Sequence, residues 1–63
     1  MSLPENTKLL RLKAKLTQGQ LAERCGCRTN TIWRIEAGQL HPRDGLLGRL
    51  AEALGTTKGK LID

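Results

Sequence analysis

In a chain of 63 residues, the side chains best suited to binding a metal or exchanging electrons are Cys25, Cys27 and His41. Their pattern argues against both chemistries. Two thiols and one distant imidazole fall short of the four ligands that a structural zinc site takes. The two cysteines flank a single glycine, too close in sequence for an unstrained disulfide. Both read instead as small hydrophobes. No nucleophile–base pair or pair of carboxylates can be assembled, so the sequence predicts no enzyme, no metal and no cofactor. Strong hydrogen-bonding side chains gather elsewhere, between Gly26 and Gly38, where Arg28, Thr29, Asn30 and Arg34 stand within seven positions.

The composition limits what can position them. Lys and Arg number 11 against 6 Asp and Glu, a formal net charge of +5. Excess positive charge on a small module points to a polyanionic partner. The apolar supply is 12 Leu, 3 Ile, 1 Met and 1 Trp, with no Val, Phe or Tyr. Leu and Ala favour helices, and the residues that favour strands are nearly absent, so an all-α fold is expected. The length allows one domain with a small core, which leaves little room for a deep ligand cleft. No apolar run approaches the roughly 20 residues of a membrane span. The N-terminus lacks the basic and apolar regions of a secretory signal, and the cysteine usage suits a reducing interior. These features predict an intracellular protein in a reducing compartment.

Glycines and prolines divide the chain into five helical segments, at about 3–15, 18–25, 29–37, 45–54 and 58–62. Ser2 with Glu5 has the spacing of a capping box at the start of the first, with Asn6 or Thr7 as alternative starts. Thr17 and Gln20 carry a clearer one before the second, which Gly26 ends. Asp44 reads as the N-cap of the fourth segment and Gly55 as its C-cap. Leu46, Leu47, Leu50, Ala51 and Leu54 form that segment's buried stripe. Gly45 and Gly48 are poor helix formers, which means either a close approach or a late start. Thr57 caps the last turn.

The second and third segments, joined by a tight turn around Gly26, have the arrangement of a helix-turn-helix. Ala22 must be small where the two helices cross, and Leu21, Cys27, Ile32 and Ile35 fill the space between them. The ordered set Leu10-Arg11, Leu16-Thr17-Gln18, Leu21-Ala22, Gly26, Ile32, Ile35-Glu36, Gly38, Pro42 and Leu50-Ala51-Glu52-Ala53-Leu54-Gly55 resembles the lambda-repressor-like, Cro-type helix-turn-helix domains of phage and bacterial regulators. The resemblance runs from about Thr7 to Ile62.

It implies a compact five-helix fold whose third helix enters the DNA major groove, and a repressor-like regulator that binds double-stranded DNA sequence-specifically. Carried over by position, Arg28, Thr29, Asn30 and Arg34 become the base-reading residues. Arg can donate twice to guanine, Asn can pair with the adenine edge, and the Thr methyl can pack on thymine. Thr17 and Gln18, at a helix start whose free N–H groups attract anions, fall on the phosphates. Gln39, His41 and Arg43 join them by resemblance. Trp33 has two readings, packing against a neighbouring helix or pressing on the groove wall. Lys8, Lys13 and Lys15 have the weaker claim of scattered surface charge. Arg11 and Glu36 are implied to form a largely buried ion pair. Lys15 stands where the family often has glycine.

Members of this family usually bind palindromes as homodimers. Alternatives are a protein-interaction module of the same fold, of antitoxin or coactivator type, or an engineered monomeric DNA binder. The base-reading chemistry retained at Arg28, Asn30 and Arg34 argues against the first. No membrane or small-molecule partner is expected.

Overall fold

The computed structural model describes residues 2–62. They form five helices, α1 (Leu3–Lys13), α2 (Gln18–Cys25), α3 (Thr29–Glu36), α4 (Asp44–Ala53) and α5 (Lys58–Ile62), and no strand is found among the described residues. The fold is all-α. Helix α2 packs on α3 and α4, α1 packs on α3 and α5, and α4 closes on α5. The core lies where these faces converge: Leu21, Cys25, Ile32, Ile35, Leu50 and Leu61 are fully buried. Each buried Leu or Ile contributes about 1.5–3 kcal/mol relative to exposure. Asn6 of α1 is also buried, and its amide donates to the Leu61 carbonyl at 2.8 Å, tying the two ends of the chain together.

The first four helices end in the same way. An N–H just past each helix reaches back five residues to a carbonyl, as in Leu16 to Arg11 (3.1 Å), Cys27 to Ala22 (3.0 Å), Gln39 to Arg34 (2.8 Å) and Thr56 to Ala51 (2.9 Å). This closure needs a left-handed residue just before the donor. Gly26, Gly38 and Gly55 supply it after α2, α3 and α4, at φ 68°, 76° and 70°. After α1 the position is held by Lys15 at φ 59°, the one non-glycine with positive φ among the described residues. That closure ends α1 at Lys13, two residues before the end expected from sequence.

Three capping expectations change. Ser2 occupies the N-cap of α1 with extended backbone, but its hydroxyl donates to the Glu5 carboxylate at 3.0 Å instead of accepting from the helix. Arg43, and not Asp44, is the N-cap of α4; Asp44 begins the first turn, where a negative charge faces the positive end of the helix dipole. Leu54 is the C-cap of α4, with Gly55 one residue beyond in the left-handed role. Helix α3 likewise ends at Glu36, one residue early, with Ala37 at its C-cap. Thr57 does receive the Lys60 N–H, at 3.2 Å.

The α4 stripe is narrower than expected, because Leu46 is only half-buried while Leu47, Leu50, Ala51 and Leu54 are buried. Neither explanation for the α4 glycines holds. The helix begins before Gly45, and a Cβ added at Gly45 or Gly48 would meet nothing within 4 Å.

Candidate nucleic-acid interface

Two short helices hold the candidate site, and their junction is built from few residues. Thr17 and Gln20 form the full reciprocal box: the Thr17 hydroxyl accepts the Gln20 N–H at 3.0 Å, and the Gln20 amide oxygen accepts the Thr17 N–H at 2.9 Å. That start leaves the first N–H groups of α2, at Gln18 and Gly19, without an intrahelical acceptor. At the other end Gly26 turns the chain into α3. Ala22 is buried at the crossing, and a Cβ at Gly19 would sit 3.5 Å from the Thr29 hydroxyl, so α2 and the start of α3 lie in near contact.

Helix α3 separates its two jobs by face. Ile32 and Ile35 are fully buried, and Arg28, Thr29, Asn30, Trp33 and Arg34 are exposed. At 100° per residue, Asn30 and Arg34 fall one turn apart on the outward face, with Thr29 and Trp33 on its flank. Arg28 sits at the N-cap without a side-chain capping bond. Among the described residues, the side chains of Arg28, Thr29, Asn30 and Arg34 enter none of the protein's own hydrogen bonds or ion pairs. Trp33 is 47% exposed, so its ring is partly covered by the protein and partly open to a partner.

Behind this face lies a buried polar seam. The Arg11 guanidinium meets the Glu36 carboxylate twice, Nε to Oε2 at 2.6 Å and a terminal nitrogen to Oε1 at 3.2 Å. Its other terminal nitrogen donates to the Leu16 carbonyl at 2.9 Å. The two side chains are only 10% and 6% exposed. Gln18, expected on the phosphates, also joins the seam: its amide nitrogen donates to Glu36 Oε1 at 3.1 Å. One of its amide N–H groups is thereby engaged, and the other and the backbone N–H remain. Nothing local in the sequence signals this contact, since the partners are 18 residues apart.

The loop after α3 alternates. Leu40 is half-buried and Pro42 buried, which turns Gln39, His41 and Arg43 outward. The His41 ring lies 3.1 Å from the Pro42 carbonyl through Nδ1. Cys25 is buried, and burial first, then the neighbouring Cys27, pushes its thiol up to about 11; Cys27 is half-buried and raised by the same desolvation. Both are neutral thiols near pH 7 and poor nucleophiles. No group of three or more His, Cys, Asp or Glu is arranged to hold a metal among the described residues. No helix there is long and apolar enough to cross a membrane.

This arrangement recurs in known proteins. Residues 8–63 match the profile of the helix-turn-helix domain family. The chain belongs to that family. Among solved structures, the helix-turn-helix domain is similar to the P22 c2 repressor crystallised in complex with synthetic operator 9T, at TM-score 0.97 and 24% identity, over 100% of this chain and 96% of that one. It is similar also to a hypothetical transcription factor, NHTF, from Neisseria, at TM-score 0.90 and 24% identity, over 97% and 70%. Hydroxypropylphosphonic acid epoxidase from S. wedmorenis matches at TM-score 0.88 and 31% identity, over 97% of this chain but only 32% of its own. The helix-turn-helix domain spans about a third of that enzyme, so the likeness carries no enzymatic activity to it. No curated protein sequence matches the chain.

Proposed function

We propose that this helix-turn-helix domain binds double-stranded DNA sequence-specifically and acts as a repressor-like transcriptional regulator, occupying its site without chemistry of its own. The observation that carries this reading is the outward face of α3, where four side chains with base-reading chemistry are exposed and uncommitted. In this reading α3 lies in the major groove, with Arg28, Thr29, Asn30 and Arg34 at the base edges. Each bidentate contact discriminates by about 1–3 kcal/mol. Thr17 and Gln18 at the start of α2, and Gln39, His41 and Arg43 in the following loop, lie along the phosphate backbone. Trp33 meets the groove wall. The likeness to a repressor solved on an operator duplex supports the same mode of docking.

We place the protein in the cytoplasm and on palindromic sites as a homodimer, with α3 helices spaced one DNA turn apart, about 34 Å. Selection of bound duplexes from a random library tests the dimer and the sequence specificity. A palindromic enriched motif agrees with the dimer, and a single half-site would replace it with a monomer. No enrichment at all would remove the claim of sequence specificity.

A further inference from the structure

An open hollow lies on the flank of α3 that faces the start of α2, lined by Lys8, Gln18, Trp33, Glu36 and Ala37. Three helices contribute to it, so residues far apart in sequence meet there. The acid among them is spent. Both oxygens of Glu36 take donors from Arg11, and one also takes the Gln18 amide, so that carboxylate is neutralised by its partner and capped. Lys8 is different: it is exposed and enters no ion pair among the described residues. The hollow therefore offers one unmatched ammonium, one amide with an N–H to spare and the exposed face of an indole. An anion joined to a compact apolar group suits such a wall, with the charge on the lysine and amide and the apolar part on the ring.

We propose that this hollow seats one phosphodiester of the DNA backbone with its deoxyribose. Lys8 and the second amide N–H of Gln18 bind the phosphate oxygens, and the Trp33 indole packs on the sugar. The proposal rests on the DNA-binding reading above. Its place agrees with it, because the hollow adjoins both the exposed face of α3 and the free N–H groups at the start of α2. Glu36 acts as a positioning residue: by holding one N–H of Gln18 it directs the other outward. The seat also gives Lys8 a role apart from that of surface lysines, as one fixed contact to the DNA backbone.

The test uses the full chain and the enriched duplex, with a set of duplexes each carrying one neutral methylphosphonate linkage. For the wild type, one linkage next to the half-site weakens binding. For Lys8→Gln the same linkage has a smaller effect, the slope of log K against log salt becomes shallower by about 0.9 for each protomer bound, and the loss is equal on cognate and scrambled duplexes. The melting temperature is unchanged, because Lys8 is exposed and unpaired. Emission from Trp33, the only tryptophan, shifts on binding in both proteins. An unchanged salt slope with the same methylphosphonate pattern in Lys8→Gln would overturn the seat while leaving DNA binding intact. Failure of the wild type to bind any duplex would overturn the DNA-binding reading, and the seat with it.

Discussion

Helix α3 and its surroundings hold two polar regions of opposite character. The seam of Arg11, Glu36 and Gln18 is closed: each charge has its partner, solvent is largely excluded, and α1, α2 and α3 are joined through it. The face of Arg28, Thr29, Asn30 and Arg34 is open, its hydrogen-bonding capacity unused within the protein. A donor already satisfied internally gains little from a new partner, whereas an exposed one exchanges water for a base edge. In the proposed reading, the seam positions the helix and the face reads. The same residue types, arginine above all, take different roles because burial and partners differ.

Changes to the open face should leave the frame intact, whereas loss of the seam removes the frame, and the largest effect belongs to the seam. Glu36→Ala leaves the Arg11 guanidinium buried and uncompensated, at a cost of about 3–5 kcal/mol. That is comparable with the whole stability of a chain this size, at roughly 0.05–0.15 kcal/mol per residue. Thermal or urea unfolding should show a large drop; an unchanged midpoint would mean that the pair does not hold the fold. Asn30→Ala should do the reverse. It should cost about 1–3 kcal/mol of preference for the cognate base pair in duplex titrations, with stability kept within about 0.5 kcal/mol, as for an exposed side chain. A fall in stability beyond that would show the open face to be structural as well.

Two smaller effects concern how the frame is built. Lys15 holds the left-handed position that glycine holds after the next three helices. Lys15→Gly removes the Cβ conflict of that conformation, which costs roughly 1–2 kcal/mol, offset in part by the greater freedom of glycine in the unfolded chain. A net gain of about 1 kcal/mol is expected in urea unfolding, with DNA affinity unchanged. Gly48→Ala introduces a methyl into open space inside α4, and should raise stability by about 0.5–1 kcal/mol. A loss in either variant would contradict the backbone geometry described for it.

Much of this frame is legible in the sequence because its signals are local. Thr17 and Gln20 announce the start of α2, Gly26 its end, and the spacing of Ile32 and Ile35 shows which face of α3 is buried. What escapes is whatever depends on a distant partner or on one of two neighbouring caps. Asn6 looks like a helix start, yet it is held by the Leu61 carbonyl, 55 residues away. Gln18 looks like a free phosphate ligand until Glu36 is folded against it. Arg43 and Asp44 compete for one N-cap, and composition favours the wrong one, since an extended backbone suffices without a side-chain cap. Trp33 has two readings on sequence, and a ring 47% exposed agrees with both. The weak claim of Lys8 changes only when three helices bring it beside the indole and the amide.

The division between a positioning seam and a reading face is tested most directly at Arg34. Binding of wild type and Arg34→Ala should be measured on the enriched duplex and on its full set of single base-pair substitutions. The account predicts that Arg34→Ala loses about 1–3 kcal/mol on the cognate site and loses its preference at one base pair, with the others unchanged. Equal losses on every duplex, scrambled ones included, would reduce Arg34 to a backbone contact and contradict base reading by this residue.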